Sequence, residues 1–276
     1  KGFLGFLLRN PKIAVGGAIL LLLVLAAAFA PYLGTVDPPQ IAPSRRARLP
    51  SAENWFGTDL MGRDLYSRVI YGTRVSLLVG FSVAVIASGA GLAIGLVAGF
   101  LKWVDRVVMR VMDGLMSIPP ILLAVALMAL TRGSVGNVVI AIAIADVPRV
   151  CRLVRGSVLS LRGLPFIEGA VTAGTSTPRI VLRHVLPNTL APLTVQATYV
   201  CASAMITEAI LSFIGAGSPP DVPSWGNIMA EGRMLWQVKP FIIAFPAVFL
   251  SVTVLAVNLL GDGLRDLLDP RSAARA

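Results

Sequence analysis

Apolar residues fill long uninterrupted blocks of this chain, and polar residues are confined to the stretches between them. Six blocks reach the roughly 20 residues that a helix rising about 1.5 Å per residue needs to cross a bilayer. They lie near residues 13–33, 75–101, 107–130, 135–155, 189–214 and 241–261. Backbone polar groups have no water to bond in lipid, so the blocks are predicted as helices rather than as an open sheet. The expected fold class is an all-α polytopic membrane protein with six spans. Pro119-Pro120 should kink the third span, and Gly91, Gly95 and Gly99 form a small-residue ridge on the second. The first block, from Ile13 to Ala30, follows Lys1, Arg9 and Lys12. It is longer than the apolar part of a signal peptide, and Pro31 would follow the apparent cleavage site, so it is predicted to be an uncleaved anchor.

Composition agrees. Of 276 residues, 56% are hydrophobic and 14% charged, and mean hydropathy is +0.80. The net charge of +10 does not point to nucleic acid, because the basic residues lie mostly between apolar blocks, as a topology signal does. Six spans put both termini on one side. That side would hold Lys1, Arg9, Lys12, Lys102, Arg106, Arg110, Arg149, Arg152, Arg155, Arg162, Arg179, Arg183, Arg265, Arg271 and Arg275. The other would hold Arg45, Arg46, Arg48, Arg63, Arg68, Arg74, Arg132, Arg233 and Lys239. The first set is the larger, so both termini are expected in the cytoplasm. Cys151 and Cys201 fall in apolar segments and imply no disulfide framework.

Three stretches outside the spans carry structure of their own. Residues 34–74 are predicted to be external, a Pro-rich linker followed by an amphipathic helix with Leu60, Leu65, Val69 and Ile70 opposed to Asp64, Ser67 and Arg68. With the tail and first span they form an N-terminal segment, 1–74, ahead of a five-span core, 75–276. Residues 215–240 are predicted to be an ordered external loop with Trp225 and Trp236 at the membrane interface. The third stretch, 156–187, is cytoplasmic. Pro165 suits a first helical turn, Phe166–Ala173 follow as helix, and Gly174 suits the left-handed position that ends one. Thr177 then serves as an N-cap, Pro178 as a first-turn residue, and Pro187 ends a second short helix, Arg179–Val185. Gly169, Ala170 and Ala173 give the first helix a narrow face. Read without further knowledge, the stretch is a connector that reverses the chain.

The pattern Glu168-Gly169-Ala170, three residues, Gly174, nine residues, His184, one residue, Leu186-Pro187 resembles the E-A-A motif of ABC-importer membrane subunits. It departs from that motif at Gly169, where Ala is usual, and at His184, where Ile is usual. The stretches RNPKIAVGGAILLLL, WFGTDLMGRDLYSRVIYGTRVSLLVG, SFIGAGSPPDVPSWGNIMAEGR and NLLGDGLRDLLDPR are similar to the dipeptide/oligopeptide branch. The resemblance is to the C-type permease subunit of that branch, and it implies a bacterial inner-membrane protein acting in a heteromeric complex. Its partners would be a paralogous permease subunit, two cytoplasmic ATPase subunits and an extracytoplasmic solute-binding protein. ATP and Mg would be bound by the ATPases, with no cofactor or metal in this chain, which has no G-x-x-x-x-G-K-[ST] loop. Glu168, Gly169, Ala170, Gly174, His184, Leu186 and Pro187 would couple to an ATPase, and Asp59, Arg63, Asp64 and Trp225 are candidates for meeting the binding protein.

Charges inside spans admit two readings each. Asp113 and Asp146 lie three residues from Arg110 and Arg149, either orienting a helix at the interface or lining a path. Asp146 and Glu208 are the translocation-path candidates, and Glu208 equally suits a hydrogen bond to a partner subunit. The lone histidine, His184, suits an ordinary polar residue or a pH-sensitive contact. Without H-E-x-x-H or a telling in-span acid pair, an enzyme is disfavoured. A self-sufficient secondary transporter or channel is the alternative, but it would call for inverted repeats or paired broken helices.

Overall fold

The computed structural model describes residues 10–131 and 133–268. Lys1, Arg9, Arg132, Arg271 and Arg275, used above for topology, lie outside the described residues. Helices in chain order are α1 (Pro11–Ala28), α2 (Leu65–Phe100), α3 (Lys102–Met116), α4 (Pro120–Ala129), α5 (Val135–Arg162), α6 (Pro165–Thr172), α7 (Thr177–Ile180), α8 (Leu186–Phe213), α9 (Trp225–Gly232) and α10 (Phe241–Leu268). Among the described residues there is no sheet, only an isolated bridge between Thr58 and Asp64.

Four helical stretches are long and apolar enough to cross a membrane: α1, α2, the continuous run Thr177–Phe213, and α10. The third expected span is broken. Its halves, α3 and α4, meet at 89°. Pro119 and Pro120 cause the break. Neither has an N–H to continue a helix, and the residue before a proline is pushed toward extended geometry, which Pro119 adopts with ψ 131°. The fourth expected span becomes the 28-residue α5, which carries Asp146, Arg149, Arg152 and Arg155.

The glycine ridge sets how α2 meets α5. A β-carbon on Gly91 would lie 2.6 Å from Val150 Cβ, one on Gly95 2.8 Å from Val154 Cβ, and one on Gly99 2.6 Å from Val158 Cβ. Only glycine lets the valines sit this close, and buried area is gained by backbone approach, as in other small-residue helix contacts. The register advances in the same direction on both chains, so α2 and α5 run parallel. The bent α3–α4 pair therefore carries the chain back to the end where α2 began. In contrast α1 and α10 run antiparallel: Gly16 abuts Ala256 and Leu260, Ile13 abuts Gly263, and Lys12 pairs with Asp266 at 2.8 Å. The first and last described turns thus lie at one end of the bundle.

The core between these helices is built from Val79, Val83, Val138, Ile142, Val200 and Met205 with the ridge valines. A separate apolar cluster, Leu65, Val69, Trp225, Ile228 and Ile242, sits at the opposite end under Phe56 and Phe249. It holds α9 against α2 and α10.

Two boundaries differ from the sequence reading. The amphipathic segment and the second span are one 36-residue helix, so the division at residue 74 falls inside α2. Its supposed polar face is not polar outward: Ser67 and Arg68 are buried, while Leu60 lies in the turn before the helix. In the stretch 156–187, Ser176 rather than Thr177 occupies the cap of α7. Pro187 does not end a helix either. The chain runs from α7 through a π turn, Val181–Val185, straight into α8. A proline in a first turn has no hydrogen bond to lose, and the wide turn absorbs the ring.

Candidate functional site: a protruding helical turn and an ion-paired cap

The two ends of the bundle carry the polar chemistry. At one end α6 stands out from the helices on which it is mounted. Ile167 and Ile180 are buried and pin it, and Ala170 packs partly on the core. Phe166, Glu168, Gly169, Val171, Leu182 and Arg183 are exposed. The helix ends in two hydrogen bonds: Gly174 N–H donates to Val171 O at 2.9 Å and Thr175 N–H to Ala170 O at 3.0 Å. That pairing demands a left-handed residue at its corner, and Gly174 has φ +77°. A β-carbon at Gly169 or at Gly174 would meet nothing within 4 Å in this chain. The narrow face of α6 is therefore open at Gly169 and Ala173, with Ala170 partly packed behind them.

His184 lies half-buried in the π turn with its ring 6.3 Å from that of Phe166. Asn188 donates to its carbonyl at 2.6 Å. Leu186 and Pro187 form the first turn of α8. The structure thus brings together all seven residues expected to couple, on one mount. Arg162 ties the mount to α2, donating to Gly99 O at 2.7 Å. Asp105 on α3 pairs with Arg155, and Asp113 pairs with Arg152. The expected Asp113–Arg110 pair is replaced by that cross-helix contact, because Arg152 comes to Asp113 from α5.

At the other end, residues 54–68 fold against α9 through buried charges. Asp59 Oδ2 accepts from Arg63 Nε and from Arg68 Nη1, both at 2.6 Å. Its Oδ1 accepts from the backbone N–H of Met61 and Arg63. Glu231 of α9 closes the ring, paired with both arginines, one bond to Arg68 being 3.0 Å. Two acids and two arginines leave the cluster neutral, and each charge is hydrogen-bonded to an opposite one, as buried charges require. Gly62 has φ +78°, and a β-carbon there would collide with the Ala42 carbonyl. Asp64 caps α2, accepting from Ser67 N–H at 2.8 Å and from Asn54 Nδ2 at 2.8 Å. Trp225 is wholly buried and donates from Nε1 to Val69 O at 3.1 Å.

Asp59, Arg63 and Trp225 are thus inside the cap, and only Asp64 is part-exposed. They shape this end of the bundle without forming its surface. Sequence reasoning did not single out Arg68 or Glu231. Their only signal is a charge within otherwise apolar or Pro/Gly-rich surroundings.

Asp146 and Glu208 are both buried. Asp146 lies 3.4 Å from Arg149, whose guanidinium also sits over the Tyr199 ring. Glu208 Oε1 accepts from Ser212 Oγ at 2.8 Å and Ser218 Oγ at 3.2 Å. Asn227 Nδ2 extends the network to the carbonyls of Pro219 and Val222. Glu208 therefore organises the loop above it from beneath.

A family profile described as the binding-protein-dependent transport system inner membrane component matches residues 91–273. The chain belongs to that family. A probable peptide ABC transporter permease protein of Sinorhizobium fredii is 53% identical over 268 residues, covering 97% of this chain and 91% of that protein. A dipeptide transport system permease protein of Alkalihalophilus pseudofirmus is 42% identical, covering 96% and 88%. A glutathione transport system permease protein of Pectobacterium atrosepticum is 40% identical, covering 96% and 88%. In the inward-facing MetNI methionine ABC transporter, one chain superposes with TM-score 0.61 at 18% identity, over 74% of this chain and 98% of that one. At that identity the likeness establishes the fold. The chain is accordingly a multi-pass permease subunit of a binding-protein-dependent ABC importer.

Proposed function

We propose that this permease carries di- or oligopeptides inward together with a paralogous permease subunit, and that it lies in a bacterial inner membrane with both termini cytoplasmic. Two ATPase subunits bind and hydrolyse ATP with Mg, one of them gripping this chain at 165–187. A solute-binding protein delivers cargo to the opposite end, over the face framed by Asp59, Arg63, Asp64 and Trp225. Peptide cargo is supported by the names of the most similar relatives. The observation that carries the coupling assignment is α6: a capped helix with an unpacked glycine face, fixed to the bundle by two buried isoleucines, with Phe166, Val171 and Leu182 exposed. Apolar side chains on a narrow, rigid protrusion are what a partner's groove would bury. Glu168 supplies a polar contact at its rim, and Leu186-Pro187 passes any displacement of the turn directly into α8.

Asp146 and Arg149 are proposed to contribute to the path, with Asp146 holding Arg149 in place. Glu208 is proposed to brace the external loop, since its carboxylate faces only protein in this chain. The test is a cysteine at Val171 in the complete importer, with a short bifunctional crosslinker. Crosslinking to an ATPase subunit, protected by ATP-dependent closure, together with ATP-dependent peptide uptake, supports the proposal. A complex that assembles and takes up peptide without that crosslink would displace the coupling site from α6, and uptake without any ATPase would return the secondary-transporter reading.

A further inference from the structure

Helix α3 has three faces. Asp105, Val108, Met109 and Met112 turn toward the bundle, anchored by the pairs Asp105–Arg155 and Asp113–Arg152. Lys102, Arg106 and Arg110, four residues apart, make an exposed basic stripe. Trp103, Val107 and Val111, also four apart, make an apolar stripe beside it, and they are 66%, 57% and 55% exposed. Both acids on the helix are consumed by α5, and among the described residues none of the three stripe cations has an ion-pair partner. The 89° break sets this helix across the direction of α4, beside the point where α2 ends.

We propose that α3 lies in the membrane–water interface and binds anionic phospholipid headgroups through Lys102, Arg106 and Arg110, with Trp103, Val107 and Val111 seated in the adjoining acyl region. An amphipathic helix with a basic stripe flanking an apolar one, and a tryptophan at their border, is built for that boundary. Charge decides between lipid and the paralogous subunit. A second permease of the kind proposed above would bring its own excess of Lys and Arg to the same membrane face, so two basic stripes would repel, whereas phosphates complement them. The inference rests on that orientation to this extent only.

Trp103 reports on its surroundings. The complete importer is placed in nanodiscs containing brominated phosphatidylglycerol or brominated phosphatidylcholine. Quenching of Trp103 is taken as the difference between the wild type and Trp103→Phe. The expected result is a preference for phosphatidylglycerol that falls about fivefold for each cation neutralised among Lys102→Gln, Arg106→Gln and Arg110→Gln. Arg106→Lys with Arg110→Lys should keep it. Equal quenching by both lipids in the wild type overturns the proposal. So does absence of quenching by either lipid, with a crosslink from residue 103 to the other permease. Failure of the orientation alone shows separately, as labelling of a cysteine at residue 106 from the outside with the lipid preference intact.

Discussion

Replacing Gly174 tests whether the turn after α6 transmits force. The residue sits at φ +77° with open space around it, so a β-carbon meets no neighbour and the whole effect is conformational. An L-residue other than glycine pays about 1–2 kcal/mol in the left-handed region, a factor of roughly 5–30 between the native turn and its alternatives. Asparagine tolerates that region better than alanine. Stimulated ATPase activity of the complete importer, measured with binding protein and peptide, should therefore rank Gly174, then Gly174→Asn, then Gly174→Ala, while detergent-solubilised complex keeps its subunit stoichiometry. The loss should appear in stimulated rather than basal hydrolysis. Equal activity for all three refutes the role assigned to the left-handed turn. An alanine variant that exceeds the asparagine variant refutes its conformational explanation.

Gly169→Ala should stiffen α6 by about 0.5–1 kcal/mol, yet lower stimulated ATPase activity, because the added methyl enters the face offered to the partner's groove; limited proteolysis of the loop gives the first effect and the ATPase assay the second. Asp59→Asn should cost about 3–5 kcal/mol by leaving two buried arginines to share Glu231 alone, seen as a lowered thermal midpoint that high salt neither mimics nor worsens, whereas Glu231→Gln, which leaves the more deeply buried Asp59 in place, should cost less. Gly99→Ala should cost about 1–3 kcal/mol through overpacking. Adding Val158→Ala should restore little of that midpoint, because the nearest obstructing atom, 2.6 Å away, is the Val158 β-carbon itself.

What could be read from the chain followed how local its cause was. Pro165 and Gly174 act on their own backbone, so the helix between them was legible. The glycine ridge was legible as close packing, since its spacing states its periodicity. Pro119-Pro120 announced a kink, though not that it would break the span and turn the chain through nearly a right angle. Thr177 was misplaced by one position: Ser176 stands at the N-cap, and its side chain makes no capping hydrogen bond that sequence could have pointed to. Pro187 misled because a proline tolerated in a first turn looks in sequence like one that ends a helix. The ionic cap was out of reach: Arg63 and Glu231 are 168 residues apart, and hydrophobic patterning assigns a charged residue outward unless its partner is known. For the same reason Arg68 was placed on a solvent face and Asp113 was given the nearest arginine along its own helix.

The uninterrupted course of α2 has a mechanical consequence. Its 36 residues make a rod of about 54 Å, capped by Asp64 beside the ionic cluster and tied at its far end by Arg162, at the base of α6. Along it the glycine ridge lets α5 lie close enough that the two helices tilt as a pair. A rotation of the rod by about ten degrees would carry one end sideways by about 9 Å relative to the other. Because no hinge interrupts α2, such a tilt is felt at both membrane surfaces at once. In the proposed mechanism, the side on which cargo arrives and the side on which nucleotide is spent would share one lever.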